Sequence, residues 1–118
     1  MVEERVLIIW KYFSDGPPYK MRLILDGDAL ANQWTRQGIY LLGEGSKVNG
    51  YDHWYQRDGA NGIWQSIFSP RWIVGDIGSL GQYSGGIFGP LMLVEVKWPT
   101  QITVGWSHEV VFIECKYL

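Results

Sequence analysis

The residues best equipped for acid–base chemistry stand together at 107–109, where Ser107, His108 and Glu109 set a hydroxyl, an imidazole and a carboxylate side by side. A nucleophilic hydroxyl needs a base within hydrogen-bond reach, and that base needs a third group to orient it. On a strand, neighbours point to opposite faces, so Ser107 and Glu109 would share one face while His108 took the other. A turn at this position lifts the objection and lets His108 meet an acid from elsewhere in the fold. The default reading is an ordinary polar contact by a histidine at a strand start. His53 sits beside Asp52 under the same alternation. Asp26, Asp28, Asp52, Asp58 and Asp76 fall mostly in turn contexts, where carboxylates cap and bind local backbone. No catalytic residue is assigned. Two distant histidines and the single Cys115 offer no ligand spacing, so no metal and no cofactor is expected. The Gly-rich run 79–90, SLGQYSGGIFGP, lacks the Gly-Lys-Ser/Thr ending of a phosphate cradle and reads as a long surface loop.

The second chemistry on offer is stacking. The stretch VNGYDHWYQRDGANGIW, residues 48–64, holds five rings in seventeen positions when His53 is counted. A strand over 48–57 puts Val48, Gly50, Asp52, Trp54 and Gln56 on one face and Asn49, Tyr51, His53, Tyr55 and Arg57 on the other. With Trp54 in the core, Tyr51, His53 and Tyr55 form a row on the outer face, with Arg57 at its end. Flat rings with hydrogen-bonding tips suit a ligand with an apolar face and polar edges: a sugar ring, a peptide or an aromatic small molecule. Tyr51, His53, Tyr55 and Arg57 are the candidate ligand-binding residues; the competing reading is that these rings cover a second layer. Trp10, Trp64, Trp72, Trp98 and Trp106 stand mostly among Ile and Val in strand runs and are expected in the core.

These residues must be positioned by strands, because Gly or Pro interrupts almost every window long enough for a helix. The best helical stretch is 28–36, a turn or two. Residues 19–25 alternate cleanly, with Tyr19, Met21, Leu23 and Leu25 on one face and Lys20 and Arg22 on the other. Residues 91–98 and 110–117 alternate too, the second with Val111, Ile113 and Cys115 opposite Glu114. Residues 6–13 suit a central strand, joined to Tyr19 by the turn Asp15-Gly16-Pro17-Pro18 as an opening hairpin. Further strands are expected at 37–42, 48–57, 62–68 and 71–74, with 58–62 closing a hairpin. Asn49, Gly50, Gly59 and Gly62 are expected in turn or bulge conformations, some with positive φ. About eight short strands at this spacing make an all-β fold, a small antiparallel sandwich or barrel, in one domain spanning residues 1–118.

Composition agrees with that class. Seven Trp, seven Tyr and fifteen Gly supply large buried rings and tight turns. Ten Lys and Arg are scattered against twelve acids, so the clustered basic face needed for nucleic acid is missing. No apolar run reaches the roughly 18 residues of a membrane span. The opening MVEERVLIIW carries two acids where a signal peptide has its positive region, so no leader is read there.

The order Gly38-x-Tyr40, Val48-Asn49-Gly50, Trp54, Gly59, Ile63-Trp64, Arg71-Trp72-Ile73-Val74-Gly75, Leu80-Gly81, Pro99 and Gly105-Trp106 resembles a family of small Trp-rich β-modules. These occur in multidomain extracellular proteins of marine invertebrates and protists. The resemblance spans roughly residues 34–118. It implies a compact module, carried beside others in secreted proteins, and it brings neither an assigned activity nor a functional residue. The leading functional expectation is a non-catalytic recognition module for a glycan, peptide or aromatic small molecule. The alternative is a small enzyme, or a domain of one, with a pocket built around His108 or His53; a structural or assembly role comes third. An enzyme should show converging titratable groups in a deep pocket, and a module an exposed aromatic platform.

Overall fold

The computed structural model describes residues 17–66, 70–90, 98–103 and 105–114. They form one seven-stranded antiparallel sheet, curled into a half-barrel, with little helix. The strands are β1 (Lys20–Leu25), β2 (Gly38–Leu42), β3 (Trp54–Gln56), β4 (Asn61–Gln65), β5 (Trp72–Asp76), β6 (Ile87–Phe88) and β7 (Val110–Glu114). Their spatial order is β6-β5-β4-β3-β2-β1-β7, a meander to which the last strand returns beside the first. The expected all-β class holds. The runs 6–13, 91–97 and 115–118 lie outside the described residues. β1 is hydrogen-bonded to β2 along one edge and to β7 along the other.

Alternation decides which face of each strand is buried. Along β1, Met21, Leu23 and Leu25 are buried while Arg22 and Ile24 are exposed. Their partners continue the concave face: Met21 lies opposite Tyr40 on one side, and Leu23 opposite Phe112 on the other. A row Leu42, Trp54, Ile63, Val74, Ile87 crosses five strands in register. With Trp72 and Ala29 this makes the core, against which Tyr51, Trp98, Ile102 and Trp106 pack. Burying each large side chain stabilises the fold by roughly 1.5–3 kcal/mol before entropy is counted.

Three strand expectations are corrected. Residues 48–57 are not one strand: Val48 and Tyr51 close a tight turn through two backbone hydrogen bonds of 3.0 Å, and only Trp54–Gln56 is extended in the sheet. Asn49 and Gly50, at φ 53° and 85°, hold that turn as expected, and the Asn49 amide donates to the Gln65 and Gly81 carbonyls. Asn-Gly chemistry outweighed the alternation around it. In the next connection, Asn61 and Gly62 belong to β4, and the positive φ of 59° falls on Asp58 and not on Gly59. In β7 the faces are reversed: Val110 and Phe112 pack on the core, and Val111 is 54% exposed opposite Ile24. Apolar residues occupy both faces of that strand, so pairing with β1 chose the register.

The β4–β5 end is buried on both sides. The run 79–90 folds over the convex face and contributes β6, so it is more than a surface loop. The Trp64 indole donates to the Gln82 carbonyl at 2.9 Å, and a Cβ on Gly75 would stand 2.8 Å from Gly85 Cα. Between β1 and β2 runs α1 (Gly27–Gln33), capped by the Asp26 carboxylate accepting from the Gly27 N–H at 2.8 Å. A 3₁₀ turn, Trp34–Arg36, follows and is tied to the core where the Tyr40 hydroxyl donates to the Arg36 carbonyl at 2.6 Å.

Candidate functional site

That 3₁₀ turn and the β3–β4 connection face each other across an open cleft of about 690 Å³. Its floor is a network of amides. Asn61, buried, accepts from Arg36 Nη1 at 2.7 Å and donates to the Thr35 carbonyl and to Gln56 Oε1. Gln56 Nε2 in turn donates to the Thr35 and Gln37 carbonyls. Arg36 closes the network on Asp76 at 3.3 Å. Such mutual bonding holds the floor in one geometry. The wall and rim are different: Trp34 is 66% exposed, the Asp76 side chain is 78% exposed, and Arg57 and Asp58 are exposed beside them. Trp34 gains little from burial there and offers a flat face.

The ring row divides. Tyr51 turns to the concave side, half-buried, edge-on to Trp72 with centroids 6.1 Å apart. His53 and Tyr55 share the convex side, T-shaped at 5.0 Å, with His53 Nε2 and the Tyr55 hydroxyl 3.0 Å apart. Only Tyr55 of this pair is exposed; His53 is 3% exposed, lodged where a Cβ on Gly43 would strike its ring. His53 Nδ1 is buried without a hydrogen-bond partner. Burial lowers its pKa below the ordinary 6.5, partly opposed by the neighbouring Asp52. The expectation of one outward face is corrected because the turn at 48–51 redirects the chain before β3 begins. Arg57 lies in the β3–β4 connection and lines the Trp34 cleft, not the ring row.

Ser107 and His108 do meet, because the segment bends before β7: Ser107 Oγ lies 2.7 Å from His108 Nδ1. The far side of the imidazole shows which way the protons run. Gln33 accepts from Arg36 Nε at 2.8 Å and donates to the Gly86 carbonyl at 2.9 Å, which orients its amide, since an arginine nitrogen only donates and a carbonyl only accepts. The Gln33 N–H therefore faces His108 Nε2, at 3.4 Å, as a donor. His108 then carries its proton on Nδ1 and donates to Ser107 Oγ, which also accepts from the Phe88 N–H at 2.9 Å. A base that activates a serine must accept from it, and its orienting partner is a carboxylate. Here the polarity is reversed and the partner is an amide. His108 also lines an open cleft of about 590 Å³ with Ile24, Asp26, Trp106 and Glu109.

Three of the aspartates have local partners: Asp26 caps α1, Asp76 pairs with Arg36, and Asp52 lies 3.7 Å from Lys47 Nζ. Among the described residues no group of three or more His, Cys, Asp or Glu could hold a metal ion, and no helix is long and apolar enough to cross a membrane. Sequence reading passed over Trp34. The signal was its setting in the polar run Asn32-Gln33-Trp34-Thr35-Arg36-Gln37, unlike the tryptophans flanked by Ile and Val. A scan against family models and searches of curated proteins and of solved structures returned no match.

Proposed function

We propose that this chain is a non-catalytic recognition module whose ligand lies in the cleft beside Trp34. One observation carries the reading: an indole left two-thirds exposed over a rigid, fully bonded polar floor. Leaving such a ring in water forgoes burial, and a floor already ordered loses little further entropy on binding. Arg57, expected at the end of the aromatic row, stays in the site, with Trp34 as its stacking plane in place of Tyr51, His53 and Tyr55. The ligand classes remain those with an apolar face and polar edges: a glycan, a peptide or an aromatic small molecule. The extracellular, multidomain setting implied by the resemblance belongs to the same proposal. The enzyme alternative has weaker support, because His53 is buried and His108 donates toward its serine.

A thermal-shift screen over oligosaccharides, peptides and aromatic small molecules tests the reading. A ligand at about 100 times its Kd adds about 2.7 kcal/mol of stability to the native state. The expected result is a shift that Trp34→Ala removes while the unliganded melting temperature hardly moves. A shift that survives Trp34→Ala, or none from any class, overturns it.

A further inference from the structure

Resting on that recognition reading, we infer that the ligand is a neutral pyranose oligosaccharide, stacked by its C–H face on Trp34 with hydroxyls toward Asp76, Asp58 and Arg57. Three observations lead there. First, the groups with bonding capacity left are few. The floor amides of Asn61 and Gln56 are committed to each other, to Arg36 and to backbone carbonyls. What faces outward is an acceptor-only carboxylate at Asp76, a second at Asp58, a donor-only guanidinium at Arg57 and the residue Thr35 with its hydroxyl. A hydroxyl both donates and accepts, so adjacent sugar hydroxyls can serve carboxylate and guanidinium together. An aromatic small molecule without such edges leaves them unserved.

Second, the charges cancel. Of the lining groups Arg57 stands against Asp58, and Asp76 is paired with Arg36, so neither a uronate or sulfated sugar nor a polyamine meets a field of one sign. Third, an extended peptide has no edge to join here. β3 is hydrogen-bonded to β2 and β4, and β4 to β3 and β5, so strand addition at this cleft is closed. A pyranose needs no edge: it offers one apolar face to the indole and a polar rim to the side chains.

The test is native affinity electrophoresis of the full chain through gels containing mannan, galactan, xylan or mixed-linkage β-glucan, with polygalacturonate and heparin as acidic probes. A peptide library read by thermal shift runs in parallel. The expected result is retardation by at least one neutral polysaccharide, unchanged by raised salt. Trp34→Ala should weaken it about tenfold or more, and Trp34→Phe should restore part of it. Asp76→Asn should weaken it several-fold with the melting curve kept, which a merely structural Asp76 would not do. Circular dichroism and denaturation midpoints confirm that each variant is folded. Retardation only by the acidic probes, lost in salt, overturns the neutral-sugar inference, as does Trp34-dependent binding confined to peptides; in both cases the recognition module stands. Absence of Trp34-dependent binding to every probe overturns the neutral-sugar inference, and absence of a Trp34-dependent shift from the aromatic small molecules as well overturns the recognition reading with it.

Discussion

Trp72 and Trp34 bring the same side chain to opposite surroundings. Trp72 is fully buried on the concave face, tilted against Trp54 at 5.8 Å and edge-on to Tyr51. Around it are Ile63, Val74 and Ile87, each set by strand alternation. Trp34 opens the 3₁₀ turn among glutamine, threonine and arginine and is left in water beside a bonded amide floor. One ring holds the sheet together and the other is held out by it. Among the described residues tryptophan therefore marks two separate things, a core with large flat fillers and, at Trp34, a ring offered to solvent. The neighbours of each ring, not its type, separate the two.

The strongest way to break the comparison is truncation at its buried pole. Trp72→Ala removes a fully buried indole and should cost roughly 3–5 kcal/mol, read as a fall in the denaturation midpoint, because the surrounding strands cannot collapse into the space. A loss below about 1 kcal/mol would mean that Trp72 is not a core filler.

A smaller effect is expected where the chain closes over the convex side of the same end. Gly75→Val suits a strand by propensity, yet its Cβ would press on Gly85 Cα at 2.8 Å and the Ser84 carbonyl at 3.2 Å. The strained packing should cost about 1–3 kcal/mol, and hydrogen exchange should rise first around residues 79–86. Unchanged protection there would separate the two faces of β5.

His53 gives a pH handle on the region between the poles. Its folded pKa lies below 6.5 because burial disfavours the imidazolium. Between that value and 6.5 the unfolded chain binds more protons than the native one, so stability is fully present above pH 6.5 and falls as the pH drops through this window. His53→Gln should flatten that part of the stability profile. A profile still sloping equally in the variant would assign the slope to other groups.

The mildest expectation sits at the exposed pole. Trp34→Ala should change stability by no more than about 0.5 kcal/mol, since the ring covers little and its backbone turn is held by Tyr40 and Gln37. A large loss would make Trp34 a packing residue and remove the contrast with Trp72.

The all-β class, the alternation of β1 from Met21 to Leu25, the Asn49-Gly50 turn and the burial of Trp64 and Trp72 were legible in the sequence. Each depends on a few neighbouring residues. Tyr19, read on the Met21 face, is exposed, and Lys20, read on the other, is buried. The candidate site was legible only in part: Arg57 was named, while Trp34 was placed in a helical turn with no role. Tyr51, His53 and Tyr55 were put on one face because a continuous strand was read through a turn.

Local chemistry thus determined periods and turns, since a side chain's direction follows from φ and ψ over two or three residues and an Asn-Gly pair sets its own bend. Only the tertiary structure decided which face of β7 meets the core, which rings are covered and which polar groups converge. Phe112 faces inward because Leu23 stands opposite it, far away in the chain. Trp64 is buried because residues 79–86 cross over it, and Arg36 reaches both Asn61 and Asp76 because a helical segment lands beside β4 and β5. Burial and convergence are properties of partners brought together by folding, so the spacing of residues along the chain does not carry them.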